Sequence, residues 1–406
     1  MKKPDTSHAA IDRTGPNRAP RRVRLGTTAD GLQAHAPSDA LDTRNAVRAP
    51  KAGQALAEVI DSLTMPAELV QPLDDQRVRC TACGHLCNIG DGKRGICQVR
   101  YNRGGTLYAP ANYVAALQCD PIEKKPYFHI APGGDALTFG MLGCDFHCGY
   151  CQNWLTSQAL RDEQSGVRPQ QVSAEELVAT AKRLGARMVV SSYNEPLITA
   201  EWAVRVFKLA KQEGMLCGFV SNGNTTPEVL DYIRPYTDAY KIDLKSHTDK
   251  NYRKLGGTLQ NVLDSIRRVH ERGFWLEIVS LLIPGFNADD DEVRRMADSV
   301  AAVSPDIPWH VTAYHQDYNM TDNQPTSVSH LLRACEIGRE AGLRYVYAGN
   351  IPGRVGDNEH TRCAACQGLL VERYGYRIQA NRVQVSGDEG RGECPDCGTH
   401  VPGIWR

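Results

Sequence analysis

Segments typical of strands and of helices alternate between residues 136 and 350 of this 406-residue chain. The predicted strands are Ala136–Leu142, Arg187–Ser192, Leu216–Ser221, Ala239–Leu244, Trp275–Leu282, Trp309–Tyr314 and Arg344–Ala348. Ser173-Ala-Glu-Glu176 has the pattern of a capping box, and Thr226-Pro227 is typical of another helix start. Because strands that alternate with helices of this length form parallel sheets, we predict an α/β protein with a barrel or a doubly wound sheet.

Polar residues occur at the same end of the predicted strands. In parallel barrels the reacting groups lie at the carboxyl ends of the strands. The polar stretches in these positions are Tyr193–Pro196, Ser221–Asn224, Asp243–Lys245 and Tyr314–His315. The sequence therefore predicts a functional site at this edge of the sheet, with Asn222 among its binding residues.

Three cysteines follow the first predicted strand with the spacing Cys144-x3-Cys148-x2-Cys151. Three thiolates at this spacing can hold three irons of a cubane [4Fe–4S] cluster, whereas a ferredoxin-type cluster takes four cysteines. One iron is then left for an outside ligand. The alternative is a zinc site, which needs a fourth protein ligand, and His147 lies inside the loop where it could be that ligand.

The same spacing is typical of radical S-adenosylmethionine (SAM) enzymes, in which the amino and carboxylate groups of SAM chelate the open iron. In these enzymes one electron cleaves SAM reductively, and the resulting 5′-deoxyadenosyl radical abstracts hydrogen from a substrate. The sequence predicts this activity and does not identify the substrate. Two other classes stay open: an electron-transfer iron–sulfur protein and a zinc-dependent nucleic-acid-binding module.

A second cysteine group precedes the alternating segment. Its members are Cys80, Cys83, Cys87 and Cys97, with His85 as a substitute ligand. Four thiolates satisfy structural zinc, and an auxiliary iron–sulfur cluster takes the same number. Both metals accept thiolate, so the sequence leaves the choice between them open.

A third cysteine group lies near the end of the chain, in two Cys-x2-Cys pairs. Its members are Cys363, Cys366, Cys394 and Cys397. Alternating apolar residues between the pairs predict short strands, so this segment is interpreted as a zinc ribbon. Without a basic face, a structural role is favoured over nucleic-acid binding.

Composition indicates a cytoplasmic enzyme. The formal net charge is zero, which gives no reason to expect nucleic acid or an acidic membrane as partner. No apolar run reaches the roughly 20 residues that span a bilayer. Most of the 14 cysteines fall into three tight groups, which in a reducing compartment indicates metal and cluster binding instead of disulfides. The others, Cys119, Cys217 and Cys335, are expected to be small buried side chains.

The chain divides by composition into four predicted parts. Residues 1–53 are poor in large apolar side chains and form a leader that is expected to be disordered. Residues 54–130 are the N-terminal cysteine module, and residues 131–355 are the barrel. Residues 356–406 are the zinc ribbon.

Between residues 79 and 405 the chain resembles the radical SAM member of the AmmeMemoRadiSam system, a group similar to pyruvate formate-lyase-activating enzymes. The motifs that carry the resemblance are Asp120–Pro126, Gly143–Trp154, Tyr193–Pro196 and Arg373–Tyr376. It implies a partial (β/α)6 TIM-type barrel open on one side. It also implies an electron donor such as flavodoxin or ferredoxin, and the other proteins of that system as partners.

The resemblance implies roles for individual residues. Cys144, Cys148 and Cys151 would bind the catalytic cluster. Asn194-Glu195 would lie beside the SAM amino group, Asp243 and Lys245 would contact its ribose and carboxylate, and His315 would lie near the adenosyl group. Asn194 departs from the family, which has glycine there. Activases that install a glycyl radical on a partner enzyme are the alternative function, but they usually lack both flanking cysteine modules.

Overall fold

The computed structural model describes residues 56–163, 165, 167–387 and 390–406. The predicted leader, residues 1–53, lies outside the described residues. The described part begins with a short helix and seven short strands: α1 (Leu56–Asp61), β1 (Thr64–Pro66), β2 (Val70–Pro72), β3 (Val78–Cys80), β4 (Asn88–Ile89), β5 (Tyr101–Arg103), β6 (Thr106–Pro110) and β7 (Tyr113–Val114). These strands form two small antiparallel sheets, β1-β6-β5 and β2-β3-β4, while β7 pairs with β10 (Gln170–Gln171).

The central sheet has eight strands. They are β8 (Ala116–Pro121), β9 (Asp135–Gly140), β11 (Met188–Ser191), β12 (Leu216–Ser221), β13 (Ala239–Asp243), β14 (Trp275–Leu282), β15 (Trp309–Ala313) and β16 (Val346–Gly349). From β9 to β16 each strand pairs in parallel with the next in the sheet, so the predicted parallel α/β sheet is confirmed. The sheet has seven parallel strands where the resemblance implies six. Strand β8, within the range predicted for the N-terminal module, pairs antiparallel with β9.

Helices connect the parallel strands. They are α2 (Trp154–Ser157), α3 (Ala174–Arg183), α4 (Ala200–Gln212), α5 (Pro227–Ile233), α6 (Asp249–Leu255), α7 (Leu259–Glu271), α8 (Asp290–Ala301) and α9 (Val328–Glu340). The predicted helix starts are confirmed: Ser173 and Glu176 form a capping box, and the Thr226 side chain accepts from the amide of Val229. None of the helices in the described part of the chain has the length and hydropathy needed to span a bilayer.

The two faces of the sheet are covered differently. Side chains such as Leu137, Phe139 and Val189 belong to the large core that also contains the helices. On the opposite face, Met188 and Val190 pack with Tyr127 and other residues of the segment 122–131 near the beginnings of the strands. This face is therefore filled near the beginnings of the strands. At their carboxyl ends it is lined by residues that enclose a cavity.

The last part of the chain forms two three-stranded antiparallel sheets. Their strands are β17 (Thr361–Arg362), β18 (Leu369–Tyr374), β19 (Arg377–Asn381), β20 (Gln384–Ser386), β21 (Arg391–Glu393) and β22 (His400–Val401). The short strands predicted between the cysteine pairs are therefore present. Arg373 is buried and donates to the Phe128 carbonyl at 2.7 Å, and the Ile404 amide donates to the His129 carbonyl at 2.7 Å. These bonds attach the C-terminal sheets to the segment that fills the sheet interior.

Candidate active site

The loop that carries Cys144, Cys148 and Cys151 lies between β9 and α2. Gly143 begins it with φ of 93°, and a Cβ there would lie 2.7 Å from a methyl carbon of Val99. Only glycine fits this combination of positive φ and close approach. On the far side, the Phe146 ring lies against Gly257, where a Cβ would come within 2.2 Å of it. The path of the loop is thus set by packing on both sides.

Each end of the loop provides a polar contact to sulfur. The Phe146 amide donates to Cys144 Sγ at 3.4 Å, and Cys151 Sγ lies 3.2 Å from Ser157 Oγ. Hydrogen bonds to cysteine sulfur tune the reduction potential of a bound iron–sulfur cluster. The three cysteine sulfurs, with these polar contacts, therefore fit an iron–sulfur cluster. His147, the ligand needed by the zinc alternative, is exposed with its ring against Gly256.

Burial changes the acidity of the three thiols. It raises the pKa of Cys148 to about 12 and also raises the pKa values of Cys144 and Cys151. The free thiols are therefore protonated at neutral pH. Because metal ligands bind as thiolates, loading iron at this loop must release protons.

The three cysteines line a cavity of about 390 Å³ at the carboxyl ends of the parallel strands. The predicted site residues that share its wall are Asn194, Glu195, Asn222, Asp243 and Lys245. His315 is exposed and does not line the cavity. Its Nε2 lies 3.0 Å from Nε2 of Gln152, and Gln152 lines the cavity. The structure therefore brings together all of the predicted binding residues except His315, which is separated from the cavity by Gln152.

Glu195 is almost fully buried, with 1% of its surface exposed. Its carboxylate accepts from the Ser221 hydroxyl at 2.8 Å, the Asn222 amide at 2.7 Å and the Leu197 amide at 3.1 Å. Burial, together with the nearby charge of Asp145, raises the pKa of Glu195 to about 8 despite these three donors. Glu195 thus ties the end of β12 to the loop after β11 and lines the cavity beside the cysteines.

Asp243 lies between two ammonium groups. Lys241 Nζ bonds one carboxylate oxygen, and Lys245 Nζ lies 3.1 Å from the other. Burial opposes ionisation, but the two lysines hold the pKa of Asp243 down at about 2. Lys241 and Asp243 lie two residues apart on β13 and so share one face. Lys245 continues the same spacing just beyond the end of the strand. Sequence reasoning identified Asp243 and Lys245 but missed Lys241, although the same spacing of two residues could have found it.

Asp145, inside the cysteine loop, was also missed by sequence reasoning. It is fully buried and accepts from the side-chain amides of Asn222 at 2.7 Å and Asn224 at 2.8 Å. A buried carboxylate with two amide donors fixes the loop to the end of β12. No sequence signal marks it except its place within the cysteine motif.

A third residue missed by sequence reasoning, Lys125, lines the cavity together with Tyr193. Lys125 pairs with Asp120 at 2.7 Å and donates to the Tyr193 hydroxyl at 3.0 Å. Burial lowers the pKa of Lys125, although Asp120 opposes this shift. Asp120 and Lys125 belong to one of the motifs that carry the resemblance. Tyr376, from the C-terminal sheets, lines the cavity as well.

The four C-terminal cysteines lie close enough to hold one metal ion. Cys363 Sγ is 3.6 Å from Cys397 Sγ, and Cys366 Sγ is 3.7 Å from Cys394 Sγ. All four sulfurs lie within 4.8 Å of one another, and no other group of three or more His, Cys, Asp or Glu ligand atoms among the described residues is spaced so closely. Hydrogen bonds with Thr399 lower the pKa of Cys397 to about 6, so one thiolate is available near neutral pH.

The N-terminal cysteines begin with Cys80 at the end of β3 and continue in the loops before and after β4. Cys80, Cys83 and Cys97 are buried and Cys87 is half-buried. The ring of His85 is turned toward the cysteine loop, with Nε2 at 3.2 Å from the Asp145 carbonyl oxygen. Of the remaining cysteines, Cys217 and Cys335 are fully buried, as predicted, and Cys119 is half-buried.

Fold and site together define a parallel α/β protein in which three cysteines and a polar cavity share the carboxyl edge of the sheet. Residues 139–300 match the model of the Radical SAM superfamily. The chain is 34% identical over 337 residues to the uncharacterized protein MJ0808 of Methanocaldococcus jannaschii, an alignment that covers 82% of this chain and 98% of that protein. The chain belongs to the radical SAM superfamily.

Two further similarities are weaker. Over 208 residues the chain is 24% identical to the putative glycyl-radical enzyme activating enzyme MJ1632 of the same organism, covering 50% of this chain and 76% of that protein. A domain of pyruvate-formate lyase-activating enzyme from Bacteroides vulgatus is 25% identical, covering 40% of this chain and 98% of that domain, with a TM-score of 0.36. Superfamily membership implies an enzyme that uses a [4Fe–4S] cluster and SAM.

Proposed function

We propose that this protein cleaves SAM reductively to a 5′-deoxyadenosyl radical, which abstracts hydrogen from a substrate, and that it is the radical SAM enzyme of an AmmeMemoRadiSam system. The observation that carries the proposal is the convergence of Cys144, Cys148 and Cys151 with Asp243 and Lys245 on one cavity. A bound cluster with SAM supplies the radical chemistry. The chain supplies the ligands, the orientation of SAM and a site shielded from water.

The side chains around the cavity suit the parts of SAM. Lys245 can pair with the SAM carboxylate, and Asp243, held ionised by its two lysine neighbours, can accept from the ribose hydroxyls. Glu195 holds the end of β12 in place, so it supports the cavity wall that includes Asn222. None of these groups needs to transfer a proton. Their proposed work is binding and positioning.

The proposal is tested by anaerobic reconstitution with iron and sulfide, followed by reduction with dithionite in the presence of SAM. The expected products are methionine and 5′-deoxyadenosine, measured by liquid chromatography and mass spectrometry. Protein without added reductant is the control, because cleavage needs one electron for each SAM. A reconstituted, reduced protein that forms no 5′-deoxyadenosine would remove the proposal.

We further propose that the four C-terminal cysteines hold zinc. A zinc–sulfur distance of about 2.3 Å in a tetrahedron gives sulfur separations of about 3.8 Å, and the observed separations are 3.6 and 3.7 Å. Cys366→Ser is expected to lower the zinc content from one ion per chain to near zero, as measured by elemental analysis. Cys335→Ser, a cysteine outside the group, is the matched control. Iron with sulfide in place of zinc at this site would contradict the assignment.

An activase that installs a glycyl radical on a partner enzyme is the second candidate function. The similarity to the putative glycyl-radical enzyme activating enzyme supports it. The two proposals differ in the substrate, because an activase abstracts hydrogen from a backbone glycine of another protein. An electron paramagnetic resonance doublet on a co-expressed partner, formed only with SAM and this chain, would favour the activase.

A further inference from the structure

The three cysteine groups differ in how far apart their own sulfurs lie. The C-terminal thiols have the compact spacing of a single ion, with all four sulfurs within 4.8 Å of one another. In the part of the chain that the structure describes, neither the group of Cys144, Cys148 and Cys151 nor the N-terminal group brings three ligand atoms so close together. A single zinc ion needs the compact arrangement, whereas a cluster holds its cysteines on separate irons and so spreads them. The N-terminal group therefore resembles the cluster loop and differs from the zinc-type group.

The N-terminal group also contacts the loop that carries Cys144, Cys148 and Cys151. Gly143, which precedes Cys144, is so close to this module that a Cβ on it would lie 3.1 Å from the Cys97 carbonyl oxygen. Asp145, which follows Cys144, has its carbonyl oxygen 3.2 Å from the ring of His85. The two residues that flank Cys144 are thus both in contact with the segment between Cys83 and Cys97.

A second path runs through the end of β12. The Gly84 amide donates to the Asn224 carbonyl at 2.8 Å, and the Asn224 side chain donates to Asp145 at 2.8 Å. A Cβ on Gly84 would lie 2.3 Å from the Asn224 side chain, so no larger residue fits between the two loops. The N-terminal cysteine group is therefore held by hydrogen bonds and by packing against the loop that carries Cys144, Cys148 and Cys151.

The opposite side of the module reaches solvent. Cys87 is half-buried, and the residues beside the cysteines, Leu86 and Ile96, expose 43% and 41% of their surfaces. They are among the few large apolar side chains that the described surface exposes to this extent. The N-terminal group thus has one side at the surface and the other beside Cys144.

We propose that Cys80, Cys83, Cys87 and Cys97 bind a second iron–sulfur cluster that relays electrons to the catalytic cluster. This inference rests on the proposed function, since it needs an acceptor at Cys144, Cys148 and Cys151. A reduced ferredoxin or flavodoxin loses one electron to the second cluster at the exposed side. That electron passes to the catalytic cluster for each SAM cleaved, and no covalent bond forms in the transfer.

The metal assignment is tested on a variant in which Cys144, Cys148 and Cys151 are all alanine, reconstituted anaerobically with iron, sulfide and zinc together. Iron and acid-labile sulfide are expected to remain bound, with a paramagnetic signal after reduction by dithionite. Adding Cys87→Ser to this variant should remove them, whereas adding Cys366→Ser should not. The proposal would be overturned if the N-terminal group bound zinc without iron or sulfide. It would also be overturned if adding Cys366→Ser removed the iron while adding Cys87→Ser did not.

The unaltered protein gives a second measurement that does not depend on the stability of any variant. Its reduced spectrum is expected to contain one component that shifts when SAM is added and one that does not, because SAM chelates only the catalytic cluster. A spectrum in which every component shifts with SAM would overturn the second cluster. A failure of the proposed function would look different: the SAM-insensitive component would be present while 5′-deoxyadenosine was absent.

The relay is tested by comparing two reductants. In Cys87→Ser, SAM cleavage driven by reduced flavodoxin is expected to be lost, and the ratio of flavodoxin-driven to dithionite-driven cleavage should fall below that of the unaltered protein. Dithionite is small enough to reach either cluster, so it reports on the catalytic cluster itself. An unchanged ratio in a variant that lacks the second cluster would overturn the relay.

Discussion

Replacing Cys144, Cys148 or Cys151 by alanine is expected to abolish SAM cleavage, so that 5′-deoxyadenosine falls to the level of a reaction without enzyme. Each thiolate holds one iron of the proposed cluster, and two thiolates leave the cluster incompletely bound. The three side chains face the cavity, so the secondary structure should survive, as measured by circular dichroism.

The matched control for these variants is Cys119→Ala. Cys119 lies half-buried on β8 and belongs to none of the three groups. Its loss should leave both the iron content and the cleavage rate near those of the unaltered protein. If any of the three cluster-loop variants made 5′-deoxyadenosine at the original rate, the cluster would have to be assigned elsewhere.

Asp243→Ala and Lys245→Ala are expected to weaken SAM binding at least tenfold while leaving the cluster in place. Losing a hydrogen bond to a charged partner costs about 1.5–3 kcal/mol, and about 1.4 kcal/mol corresponds to a tenfold change in affinity. Isothermal titration under anaerobic conditions measures the affinity, and visible absorbance follows the cluster. Asp243→Asn, which keeps the volume and removes the charge, separates the loss of charge from the loss of packing.

Asp243 also balances the charge of Lys241, whose side chain is only 6% exposed. Asp243→Ala should therefore destabilise the protein as well, because it leaves a buried ammonium group unpaired. Lys182→Ala, which breaks a surface pair with Glu213, should change neither stability nor SAM affinity appreciably. Unchanged SAM affinity in both cavity variants would mean that Asp243 with its lysines is a structural ion cluster, and the proposed SAM contacts would have to be withdrawn.

Local features of the fold are predictable from the sequence because they depend on neighbouring residues. The capping box at Ser173 and the cap at Thr226 involve atoms within a few positions of each other, and both are present. Strand β11 covers Met188–Ser191 within the predicted Arg187–Ser192. The resemblance implies six parallel strands, but the seventh strand that the sequence predicts at Arg344–Ala348 is present as Val346–Gly349.

The candidate site is only partly predictable, and His315 and Asp243 illustrate the difference. Asp243 is the last residue of β13, so the alternation of the strand fixes which face it occupies. Strand β15 ends at Ala313, and the direction of His315, two residues further on, depends on the loop that follows. The structure places that side chain at the surface instead of in the cavity.

The sequence alone predicts the cysteine spacings, the alternation of strands with helices and the polar residues at the strand ends, because each is encoded within a short stretch of chain. Which of these stretches contact one another depends on the packing of the whole fold. The contacts of Asp145 with Asn222 and Asn224 join residues more than seventy positions apart, and the position of the N-terminal cysteines beside Cys144 depends on similarly distant packing. Such contacts follow from how whole elements pack, since the free energy of burying their surfaces is shared among many residues and is marked by no single one.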